Sequence, residues 1–72
     1  MILNAIIQKD EDGYFASVPE LSGCVTQAES YEEAISNIKE AAALYMESLQ
    51  LDEIRHIQAK DTAIVPIELA NT

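Results

Sequence analysis

Apolar and polar positions alternate with a period of two over residues 2–8 (ILNAIIQ). Leu3, Ala5 and Ile7 fall on one side and Asn4 and Gln8 on the other, the pattern of a half-buried strand. The segment from Lys9 to Gly13 is charged and ends in Asp-Gly, a strong hairpin signal, because Gly supplies the positive φ that tight turns require. Residues 14–18 (YFASV) favour a second strand, which Pro19 ends by removing a backbone donor. Leu21, Ser22 and Gly23 then turn the chain into a short third strand over 24–28 (CVTQA). Two short connections between three such runs predict an antiparallel meander.

From Ser30 the period lengthens to that of a helix, with apolar residues at Ile35, Ile38, Ala42, Tyr45 and Leu49. Ser30-Tyr31-Glu32-Glu33 has the form of a capping box, and its two acids suit the positive end of the helix dipole. One long helix is expected to about residue 50, packed across the sheet. Residues 51–62 (LDEIRHIQAKDT) read as a mixed polar linker with room for a short helical turn. Residues 63–69 (AIVPIEL) alternate again and predict a fourth strand, at an edge or broken, because of Pro66. The expected architecture is α+β, in the order β-β-β-α-β, and the 72 residues are read as a single domain.

Length and cysteine content add a constraint. A chain this short buries only about 60% of the surface that it exposes when unfolded, so its core is thin and small domains of this kind use an added staple. One cysteine, Cys24, permits no internal disulfide, and Cys24 with the one histidine, His56, falls short of a structural zinc site. Self-association remains, and a homo-oligomer, dimer or tetramer, is expected. The lone thiol and the lack of a signal-like start point to a cytoplasmic location.

Charge narrows the partners. Thirteen Asp and Glu against four Lys and Arg give a net charge of −9. Phosphate backbones repel such a chain, so no direct nucleic-acid binding is expected, and an acidic helix is equally unsuited to an anionic membrane surface. A basic protein is the natural complement, although acidity also serves simply to keep a small domain soluble.

The joints between elements carry a more specific pattern. Asp12-Gly13-Tyr14-Phe15-Ala16-Ser17-Val18-Pro19-Glu20-Leu21-Ser22-Gly23-Cys24, followed by Thr26-Gln27 and Ser30-Tyr31-Glu32-Glu33-Ala34, resembles the signature of the HicB-like antitoxin family. Gly13, Pro19, Leu21, Gly23, Cys24, Ser30, Glu33 and Ala34 are its structural markers here. Ala28 stands where that family often has Gly, and Ser22 where Pro is frequent. The resemblance implies a compact domain likened to a cut-down ribonuclease H fold. It also implies an antitoxin role against HicA, a small basic ribonuclease that this chain would bind and occlude. Many members carry a C-terminal DNA-binding module, for which this sequence offers no segment.

The candidate chemistry is sparse. A metal-dependent nuclease needs carboxylates converging on cations, but strand one offers Asn4 and Gln8, while the acids gather in the Asp10–Asp12 turn and along the helix at Glu32, Glu40 and Glu47. His56 has no partner nucleophile at a telling spacing, and Cys24, between Gly23 and Val25, reads as a small buried hydrophobe. Tyr31, Tyr45 and Met46 read as core. Ala41, Ala43, Leu44 and Met46 widen the helix's apolar stripe enough to suggest a second, subunit-facing side. No catalytic residue, metal ligand or cofactor is assigned, and the chain is read as a binding protein rather than an enzyme. The expected partner contacts are Asp10, Glu11, Asp12, Tyr14 and Glu20. Two rival functions are a stand-alone oligomeric binding module holding a small ligand or a different protein between sheet and helix or between subunits, and a metal-dependent ribonuclease H-like nuclease.

Overall fold

The computed structural model describes residues 1–70. Three strands, β1 (Ile6–Asp10), β2 (Gly13–Ser17) and β3 (Val25–Ala28), precede two helices, α1 (Tyr31–Glu47) and α2 (Leu51–Gln58). The sheet is the antiparallel meander that the alternation predicts, in spatial order β1-β2-β3.

The first strand is shifted along the chain from the expected residues 2–8 to Ile6–Asp10, and the first hairpin is correspondingly tighter. Asp10 pairs with Gly13, so Lys9 and Asp10 belong to the ladder and only Glu11 and Asp12 turn. The Asp10 carboxylate holds that turn by accepting the Asp12 N–H at 2.8 Å. Neither turn residue has positive φ, and the reversal falls on Gly13 at φ +124°. A Cβ at Gly13 would also stand 2.9 Å from the Ala28 carbonyl oxygen, a backbone atom with little room to yield. Gly13→Ala is therefore expected to cost about 1–2 kcal/mol from backbone strain alone, and more if β3 must shift. Urea unfolding measures this, and a variant as stable as the parent would show that the hairpin reaches another turn at no cost.

Between β2 and β3 the chain makes a closed loop rather than a simple turn. The Val18 N–H donates to the Cys24 carbonyl, Leu21 N–H to Val18 and Cys24 N–H to Leu21, each at 3.0 Å, and Gly23 takes the left-handed φ of +77°. This loop turns Val18, Leu21 and Cys24 into the core, while Pro19 faces solvent. Ala16 from β2 and Ala34 and Ile38 from α1 join them, and Ile57 from α2 closes the cluster.

The Ser30 hydroxyl oxygen accepts the Glu33 N–H at 3.1 Å and starts α1. The reciprocal bond from the Glu33 carboxylate is not formed among the described residues, so only half of the expected capping box is present. The buried stripe runs through Ala34 and Ile38, with Ala41, Ala42, Tyr45, Met46 and Leu49 packed against the core. Ile35 lies at its flank. Ala41 and Met46 are thus core-facing, and the suggested second apolar side of the helix shrinks to exposed Ala43 and Leu44. Tyr31, read as core, is exposed at the helix start.

The single long helix is corrected to two. Both the N–H and the hydroxyl of Ser48 bond to the Tyr45 carbonyl, which closes α1. The Gln50 N–H donates to the Glu53 carboxylate at 2.9 Å and opens α2 inside the segment read as a linker. Ile54 and Ile57 then give α2 its inward side. The fourth strand expected over 63–69 does not form among the described residues. Pro66 removes a ladder donor, and the single chain lays no neighbouring strand beside this segment.

Candidate partner-binding surface

Antiparallel pairing decides which charges share an end of the molecule. The β1–β2 turn lies beside the end of β3, because Tyr14 pairs with Ala28 and Gly13 approaches the Ala28 carbonyl. The chain then enters α1 within three residues. Asp10, Glu11 and Asp12 of the turn therefore share one end with Glu29 before the helix and Glu32 and Glu33 in its first turn, and all six are exposed. Lys9 is the cation at this end, and its ammonium sits 5.7 Å from the centre of the Tyr14 ring, a cation–π contact. Tyr14 is half-buried and packs on the core with its other side, so it supports the acidic end more than it projects from it.

Glu20 lies at the opposite end. It is only 5% exposed, and its carboxylate accepts the Asn4 N–H at 3.1 Å and the Asn4 side-chain amide at 2.8 Å. Burial, the largest single influence, pushes its pKa up. Hydrogen bonds from its own N–H, from the Asn4 side chain and N–H and from the Thr62 side chain together outweigh it, and the pKa lies below the ordinary value. Lys60 reaches the Glu20 carbonyl at 3.4 Å. Glu20, expected as a contact residue, thus ties the start of the chain and the segment after α2 to the central loop, apart from Asp10, Glu11 and Asp12.

Beside Glu20 an open groove of about 450 Å³ runs between the end of α1 and α2. Tyr45 and Leu49 form its apolar floor, and Ser22, Asp52, His56 and Lys60 supply polar groups. Sequence reasoning missed it because it depends on α2. The Gln50 to Glu53 spacing and the Ile54 and Ile57 repeat were the signals available. Cys24 is buried, and desolvation pushes its thiol pKa up, away from the reactive thiolate. Among the described residues no three His, Cys, Asp or Glu side chains converge as metal ligands would, and no helix is long and apolar enough to cross a membrane.

Residues 3–68 match a family described as the HicB_like antitoxin of bacterial toxin-antitoxin systems. A UPF0150 protein of Helicobacter pylori strain J99 is 56% identical over 70 residues, covering 97% of each chain. A UPF0150 protein of Thermoplasma acidophilum is 53% identical over 51 residues, covering 69% of this chain and 74% of that one. A third, from Synechocystis, is 40% identical over 65 residues, covering 89% and 81%. No solved structure matches.

Proposed function

This chain belongs to the HicB-like antitoxin family, and from that premise we propose that it neutralises a small basic toxin of the HicA kind by binding and occluding it. The observation that carries this reading is the gathering of Asp10, Glu11, Asp12, Glu29, Glu32 and Glu33 at one end of the molecule. A ribonuclease that holds RNA needs a cationic surface, and an acidic end of this size competes for that surface while its field speeds encounter. The role is one of binding in the cytoplasm, with no cofactor and no reaction of its own. The carboxylates share an end, but among the described residues no three of them converge as metal ligands would, which favours binding over the nuclease alternative.

The test is capture of the partner from the native cytoplasm at low salt, followed by affinity measurements on the purified pair. Joint neutralisation by D10N, E11Q and D12N is expected to weaken binding about tenfold at low salt, with the parent and variant affinities converging as salt screens the charges. Equal affinities at low salt would remove the turn from the interface, and capture of no basic protein would count against the antitoxin reading. The groove supports a second reading, a small-ligand or peptide module. Its volume is in the range of ligand sites, and it combines an apolar floor with a few polar groups.

A further inference from the structure

The segment that alternates like a strand has no strand beside it among the described residues. Ile64, Val65 and Ile67 are 73%, 69% and 79% exposed, although each is a residue that sheets normally bury. The exposure of Ile64, Val65 and Ile67 keeps them out of the core, and the molecule as a whole is elongated. The radius of gyration is 14.2 Å, against about 11 Å expected for a compact chain of this length. The long axis reaches 45 Å.

The molecule also has a vacant place for a strand. β1 is paired on one side only, by β2, and among the described residues no backbone hydrogen bond reaches its outer edge. The other sheet edge, β3, is partly covered, because the Asn37 side-chain amide of α1 donates to the Gln27 carbonyl at 3.4 Å. An unpaired edge is a template for any extended segment that can reach it. Pro66 is compatible with such pairing, since a strand added at the rim needs its donors on one side only.

The arm leaves the body at a fixed point. Lys60 bonds to the Glu20 carbonyl and Thr62 to the Glu20 carboxylate, which also holds Asn4, two residues before β1. The arm therefore departs near the foot of β1 but does not fold back on it. Two copies related by a twofold axis can each lay the arm on the other's edge, which closes the assembly and leaves no arm over. The core gives a reason for association. It holds seven buried hydrophobic residues, with Leu21 the one large side chain wholly enclosed, and no disulfide or convergent metal-ligand group among the described residues supplements it.

We propose that residues 63–69 of one copy add as a strand along the outer edge of β1 of a second copy, and the reverse, extending each sheet to four strands and covering Ile64, Val65 and Ile67. The fourth strand written in the sequence is then supplied by the partner. This proposal does not depend on the toxin-binding reading, because it uses the backbone edge of β1, and of the six acids only Asp10 lies on that strand.

Sedimentation at submillimolar concentration and methyl-labelled NMR test it on the full chain. The parent is expected to sediment at twice its 7.9 kDa mass. The double variant I64D and I67D, altered only at exposed positions, is expected to fall to one mass while keeping the far-ultraviolet spectrum of a folded chain. In a mixture of labelled and unlabelled parent chains, filtered NOEs are expected from the Ile64, Val65 and Ile67 methyls of one copy to Ile6–Asp10 of the other. A monomeric parent, a dimer that survives the double variant, or arm contacts that lie within one chain or on β3 would each overturn the proposal.

Discussion

Leu21→Ala is expected to cost about 2–5 kcal/mol, the range for emptying a site of this size in a core that cannot close over it. Leu21 is 1% exposed and is the one large side chain enclosed completely among the described residues. The backbone around it is held by its own hydrogen bonds, the Leu21 N–H to Val18 and the Cys24 N–H to Leu21, so the loop resists moving inward to fill the space. A domain of this length has a total stability of about 4–11 kcal/mol. The variant therefore stands at the border of folding, and under the proposed exchange of arms between copies its melting temperature is expected to rise with protein concentration by mass action. Denaturant unfolding of parent and variant at matched concentration measures the difference. A loss below about 1 kcal/mol would mean that the loop between β2 and β3 is a surface feature and that the core lies elsewhere.

That loop shows where sequence reasoning succeeds and where it stops. Pro19 and Gly23 announce a change of direction by their own backbone chemistry, and the structure turns there. Nothing in a pattern of period two or period three and a half says that a turn residue such as Leu21 will be the largest fully enclosed side chain among the described residues. Its burial comes from three backbone hydrogen bonds that close the loop on itself. The HicB-like motif marks Leu21, Cys24 and Ala34, and all three are core residues, although the helical stripe begins one position later, at Ile35. A motif records packing that periodicity averages away.

The helix boundary is a second case. Apolar residues continue beyond residue 47 in a spacing that one long helix would accept, and Leu49 does pack on the core. What ends α1 is local competition for the Tyr45 carbonyl by Ser48, and what starts α2 is a bond between Gln50 and Glu53. Such side-chain to backbone bonds are short-range and were legible, but the hydrophobic pattern spoke over them. The candidate surface divides in the same way. Asp10, Glu11 and Asp12 are adjacent in sequence and were read directly. Their union with Glu29, Glu32 and Glu33 is a property of the meander, visible only when β2 brings the turn alongside the start of α1. The surroundings of Glu20 are not legible in its neighbours, because the residues that bury and bind it, Asn4 and Thr62, come from near the two ends of the chain.

Replacing Glu20 by Gln is the experiment that uses this linkage. At neutral pH Glu20→Gln is expected to cost about 1–3 kcal/mol, since hydrogen bonds to a charged acceptor become bonds to a neutral amide and one side of that amide can only donate. The dependence on pH has a defined sign. Because the folded state lowers the pKa, the unfolded state takes up a proton first as pH falls, and the stabilisation by Glu20 is complete above the ordinary value of 4.5 and fades below it as pH passes through the folded value. The raw stability curve of the parent will not display this alone. A chain of net charge −9 relieves its own repulsion as added acid reduces that charge, which pushes stability the other way. Subtracting the Gln variant cancels that shared contribution. The difference in melting temperature between parent and variant is expected to be level near neutrality and to shrink toward zero below about pH 4.5. Hydrogen exchange adds a local readout, because the Asn4 N–H depends on this carboxylate and is expected to lose protection in the variant. A difference that persists undiminished to about pH 2 would mean that shape rather than charge holds Asn4 in place. An unchanged Asn4 exchange rate would detach Glu20 from the foot of β1, and with it the anchor from which the C-terminal arm departs.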